Sequence, residues 1–173
     1  MKNVIENAKK IFEIKTAHAH CDIPCGIYDP HYMQVAAHTV VRMDMLIDEA
    51  TAKMKSNSNP SAEDRRDFVH KIARYTHTKE EHAEIVKKEA RILWGDYFKP
   101  EHLQKFPELH DLVWKIMKGG SKGRQEADIH SGTDLLDAAN KLADIFWKSK
   151  GFETKKVKAP YPTEKELVVP VLK

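Results

Sequence analysis

Apolar residues recur along the chain at intervals of three and four, set among Lys, Glu, Asp and Ala. Ala36, Val40, Met43, Ile47, Ala50 and Met54 step by four, three, four, three and four, which is one face of a helix over about 31–56. Asp29-Pro30 precedes it as an N-cap residue and a proline suited to the first helical position. Ser61 with Asp64 reads as a capping box opening a second helix, whose face Phe68, Ile72, Tyr75, His82, Val86 and Leu93 runs to about 94, where Gly95 is expected to end it. A compact aromatic loop, Asp96-Tyr97-Phe98-Lys99-Pro100, follows. A third helix is expected from Pro107, with Leu109, Leu112, Val113, Ile116 and Met117, stopped by Gly119-Gly120. A fourth spans about Thr133 to Ser149, with Leu135, Ala138, Leu142, Ile145 and Phe146. Four stripes on four helices bury most simply in a four-helix bundle, so the expected fold is all-α, an antiparallel bundle. No period-2 strand shows within it. Residues 151–173 hold three of the eight prolines and read as an appended tail.

The chain has 173 residues, 41% hydrophobic and 32% charged, a size that suits one domain whose core needs no disulfide staples. Seven glycines and eight prolines exclude collagen-like and low-complexity classes. No apolar stretch is long enough to span a bilayer, and a net charge of +3 gives no case for nucleic acid. Lys or Glu interrupts every apolar run of residues 1–19, so a secretory signal is not expected and the cytoplasm is the expected location. A removable leader of another kind stays open.

The chemistry is concentrated in His20-Cys21-Asp22-Ile23-Pro24-Cys25-Gly26-Ile27-Tyr28-Asp29-Pro30, which contains both cysteines of the chain. Two cysteines make no disulfide framework. Pro24 and Gly26 forbid a regular helix and force a turn that can bring both sulfurs to one side. Soft thiolates beside a histidine suit a late first-row metal ion. Spacing alone leaves packed thiols, half of a zinc site and a redox dithiol equally open.

The residues themselves go further. HCDIPCGIYDP resembles the nickel-binding hook of nickel-dependent superoxide dismutases. Leu93-Trp94-Gly95-Asp96-Tyr97-Phe98-Lys99-Pro100, with His102 and Phe106-Pro107-Glu108-Leu109-His110, resembles that family's helix-to-loop segment, and Ile145-Phe146-Trp147-Lys148-Ser149-Lys150 the end of its last helix. The resemblance implies a leader, residues 1–19, removed after Ala17-His18-Ala19 by a maturation protease, and a hook-plus-bundle domain over 20–150. It implies one nickel ion per subunit, held by the α-amine and imidazole of His20, the deprotonated amide nitrogen and thiolate of Cys21, and the Cys25 thiolate. Tyr28 is expected at the open face, gating small anions and ordering water, and Asp22 to help hold the loop. Pro24 is expected to be cis. The implied substrate is superoxide and the implied assembly a homohexamer, with Trp94, Tyr97 and Phe98 as candidate contacts between subunits; for Trp94, packing within the chain is the favoured alternative. No nucleic acid or membrane is expected as a partner.

The pattern departs from the family where an acidic residue and an arginine support the axial histidine. Ala36 and His82 stand there, leaving His82, His38 or neither to take over. A metal-storing or metal-sensing bundle, with nickel or zinc and no turnover, is the alternative function. A thiol switch of Cys21 and Cys25 ranks last, since it gives no reason for His20.

Overall fold

The computed structural model describes residues 26–172. Helix α1 is His31–Ser56 and α2 is Ala62–Ile92. One turn of π-helix, Leu93–Tyr97, leads to the short α3, Pro100–Lys105, then α4, Leu109–Gln125, and α5, Ile129–Ser149. Strands β1, Thr154–Lys158, and β2, Glu166–Pro170, close the chain.

The caps act as the sequence suggests. The Asp29 carboxylate accepts from the His31 N–H at 2.7 Å, and Ser61 and Asp64 form a reciprocal capping box with both bonds at 3.0 Å. The Ser61 hydroxyl, at 2.8 Å, and the Ser61 N–H both donate to the Asp64 carboxylate and hold it below its ordinary range. Helix α1 packs on α2 and α5, and α4 packs on the same two. The four long helices thus enclose one core, including Met33, Ala37, Val40, Val86, Leu109, Ile116, Leu142 and Phe146.

Two glycine expectations fail for physical reasons. Gly95 does not end α2. The chain widens into the π turn, closed by Phe98 N–H donating to the Leu93 carbonyl at 3.0 Å, and π turns of this kind recur at functional sites. Gly119-Gly120 does not end α4 either, which continues to Gln125. A Cβ on Gly120 would lie 2.6 Å from Lys87 Cγ and 3.3 Å from the Ala83 carbonyl oxygen, so glycine there allows α4 to approach α2. The α2 stripe is buried only from Lys79 onward; Phe68, Ile72 and Tyr75 are half-buried. With the end of α1, Phe68 and Tyr75 line a groove of about 500 Å³.

The chain is mostly helical, yet not wholly so. Helix α5 ends in a Schellman turn: Gly151 N–H donates to the Lys148 carbonyl and Phe152 N–H to the Trp147 carbonyl, both at 3.0 Å. Gly151 has φ +85°, the left-handed conformation this cap requires. Residues 154–170 then form an antiparallel hairpin with Val157 opposite Leu167. Its Leu167 and Val168 are buried, as is Ala159 at the loop. The segment read as a tail is therefore a docked element.

The hairpin covers His38, which is 3% exposed. His38 Nδ1 and the Thr163 hydroxyl are hydrogen-bonded at 2.8 Å, and the Tyr161 ring meets the imidazole edge-on at 5.1 Å. Burial holds the imidazole below its ordinary 6.5, opposed by the Glu166 backbone. A folded value below the unfolded one means that this contribution to stability is complete above about 6.5 and declines as pH falls below it. Amide exchange in 154–170 should accelerate between pH 7.5 and 5.5 relative to the α4 core, and His38→Gln should remove that difference. An identical ratio at both pH values in the unmodified chain would contradict it.

Candidate metal centre

Of the expected site residues, His20, Cys21, Asp22 and Cys25 lie outside the described residues, as does Pro24. The described part begins at Gly26, whose φ of +91° lies in the left-handed region. Glycine is the residue that takes this conformation without strain, so the chain turns sharply immediately after Cys25. Tyr28 follows two residues later, half-buried, and Pro30 is buried against the body.

Tyr28 is held by an aromatic cluster built from three elements. Its ring centroid is 5.5 Å from that of Tyr97, at 54° between planes. Tyr97 in turn lies 4.7 Å from Phe146 of α5, 5.0 Å from Phe98 and parallel to the His102 ring at 5.5 Å. The π turn brings Tyr97 to this position, since its extra residue rotates the side chains that follow Leu93. Ser149 donates to the Phe146 carbonyl at 2.7 Å. Its oxygen is left to accept the Tyr97 hydroxyl, also at 2.7 Å. Lys150 Nζ sits 5.3 Å from the Tyr97 centroid and 5.2 Å from that of Phe146, placing a cation on the ring faces beside Tyr28. His102 Nδ1 accepts the Lys99 backbone N–H at 2.9 Å, which fixes its proton on Nε2.

Sequence reasoning named Tyr28 but not what orients it. Tyr97 and Phe98, candidates for subunit contacts, pack within the chain around Tyr28 and the core. The signal was the aromatic run after Trp94. Trp94 itself departs from its favoured packing role: it is 43% exposed, with its indole N–H donating to His110 Nδ1 at 2.9 Å. Ala36 is fully buried in the core. His82 donates Nδ1–H to the Thr78 carbonyl at 2.8 Å, leaving Nε2 as its acceptor, while His38 is engaged by the hairpin.

Among the described residues no group of three or more His, Cys, Asp or Glu side chains could hold a metal ion. The fitting donors are those of the HCDIPC segment, where two soft sulfurs and a histidine match the donor preferences of nickel. The model of nickel-containing superoxide dismutases matches residues 15–150. The chain belongs to that family.

Its relatives agree along most of the chain. It is 37% identical over 135 residues to the superoxide dismutase [Ni] of Streptomyces coelicolor, covering 78% of this chain and 91% of that protein. It is 36% identical over 132 residues to the one from Streptomyces seoulensis, covering 76% and 88%. A native crystal structure of nickel superoxide dismutase superposes with a TM-score of 0.59 at 37% identity, covering 76% of this chain and 99% of that one. A structure of the apo form gives 0.57 at 34%, covering 73% and 99%. As a member of this family the chain is an oxidoreductase whose cofactor is nickel. No described helix is long and apolar enough to cross a membrane.

Proposed function

We propose that the chain disproportionates superoxide to dioxygen and hydrogen peroxide at a nickel hook formed by His20, Cys21 and Cys25 after residues 1–19 are removed. The family membership, set beside the HCDIPCGIYDP sequence, carries this reading. Nickel alternating between its divalent and trivalent states supplies the one-electron chemistry. The two thiolates and the deprotonated Cys21 amide nitrogen would place anionic charge on the metal, which would favour the higher state. Removal of the leader matters because the His20 nitrogen is an amide in the uncut chain, where its lone pair is delocalised into the carbonyl before it. As a primary amine it is a ligand.

Tyr28 would border the open face. Its ring is fixed against Tyr97, so its hydroxyl is preorganised to order water and admit small anions, while Asp22 supports the loop. Lys150, on the same cluster, adds positive charge favourable to an anionic substrate. The ring of long helices with short connections supports an antiparallel four-helix bundle carrying the hook at one end. The family resemblance supports a homohexamer and a maturation protease, and the Lys and Glu residues that interrupt every apolar run of residues 1–19 support a cytoplasmic site of action.

The deciding experiment is N-terminal sequencing of the native protein with its nickel content and dismutation rate. A start at His20, about one nickel per chain and activity lost on chelation are expected. A native, active chain that retains residues 1–19, or one equally active without nickel, would overturn the proposal. Nickel bound stoichiometrically with no turnover would favour the metal-storing bundle.

A further inference from the structure

The family match ends at residue 150, and the hairpin begins at Thr154. The helices it grips are those that converge on Tyr28. From α1, the Gln34 side chain acts as a short extra strand. Its Nε2 donates to the Val168 carbonyl at 3.1 Å and its Oε1 accepts the Val168 N–H at 2.8 Å. One turn later His38 is bonded to Thr163. From α5, Asn140 Nδ2 donates to the Glu166 carbonyl at 2.9 Å, and Asp144 accepts from Thr154. Gln34, His38 and Asn140 are 1%, 3% and 8% exposed. Buried polar side chains are costly without partners, and the partners of these three are supplied by the hairpin.

The geometry connects this grip to Tyr28. Gln34 stands three residues into α1, which starts directly after the Tyr28-Asp29-Pro30 turn. Asn140 and Asp144 lie on the helix whose last turn carries Phe146 and Ser149, the residues that seat Tyr97 against Tyr28. A strap joining α1 to α5 therefore limits the relative movement of the two supports of Tyr28.

We propose that residues 151–172 form a strap that fixes the start of α1 and thereby Tyr28, with Gln34 as its principal positioning residue and His38 as its second latch. The proposal deepens the nickel-hook reading. It rests on that reading only for the catalytic consequence, not for the mechanical coupling.

Gln34→Met keeps side-chain length and removes both amide bonds. In the full-length metal-free chain, amide exchange over 28–36 should rise about tenfold while α4 is unchanged, as expected of a local opening. Thr163→Val should raise exchange in the same segment, and Thr163→Ser should restore it. A rise confined to 151–172, an equal rise in every helix, or identical behaviour of the Val and Ser variants would overturn the proposal. Since exchange needs no metal, failure of the unmodified protein to load nickel would count against the hook and leave the strap standing.

Discussion

A processed chain carrying Cys21→Ser is expected to lose stoichiometric nickel and to fall roughly a thousandfold or more in dismutation, with an unchanged thermal midpoint. Serine preserves the size of the side chain but replaces a soft, readily ionised sulfur by a hard hydroxyl that stays protonated, removing one of two thiolates. Even residues one shell removed from a metal change affinity or activity by about 10–100-fold, so loss of a direct ligand should exceed that range. Cys25→Ser should behave alike. The described core starts beyond both cysteines, at Met33, and for this reason stability should not follow activity. Metal analysis, superoxide decay and a melting curve at fixed protein concentration separate the alternatives. A variant that keeps nickel and at least half its activity would remove Cys21 from the centre. A variant that loses activity only by melting early would show a structural thiol.

The Cys21 result concerns the part of the molecule that was most legible in the sequence, and the reasons are local. The α1 boundaries and the capping box of α2 were readable because caps and helical faces are written in neighbouring residues. Gly120 misled because its role is set by Lys87 and Ala83 on another helix. The hairpin was hidden for a related reason. Strand Thr154-Lys155-Lys156-Val157-Lys158 has no clean alternation, and its partner strand is stabilised from outside by Gln34, remote in sequence. Gly151-Phe152 did carry a signal, the Schellman cap with Phe152 against Trp147 at 6.0 Å, and it marked a turn toward further structure. At the candidate site, the motif names Tyr28 as a candidate residue. Its support by Tyr97 depends on a π turn, for which no simple periodicity exists.

Lys79→Met should give the largest loss of stability, about 3–5 kcal/mol near neutral pH, the range for breaking a buried pair from one side. Lys79 and Asp44 are each 1% exposed and their charged groups are 2.9 Å apart. Lys79 also donates to the Glu126 carbonyl at the end of α4, where a cation complements the helix terminus. Asp44 presses against α5, since a Cβ on Gly132 would lie 2.7 Å from its Oδ2. The pair thus touches all four long helices. Among the described residues Oδ2 has no hydrogen-bond partner, and burial pushes the Asp44 carboxyl up to about 6 against the opposing pull of Lys79. A value raised above the unfolded 3.8 means that Asp44 favours folding most below about 3.8, an advantage lost as pH rises through about 6. Methionine fills the space of the lysine stem but leaves the carboxylate unpaired, and its penalty should shrink as acid neutralises Asp44. Urea unfolding at pH 7.5 and 5.0 checks both the size and this direction. The double variant Asp44→Leu/Lys79→Met, with neither charge to desolvate, should recover most of the loss. If the double variant is as unstable as Lys79→Met alone, the four helices depend on the charges themselves for their register, and an apolar pair of similar size cannot stand in for them.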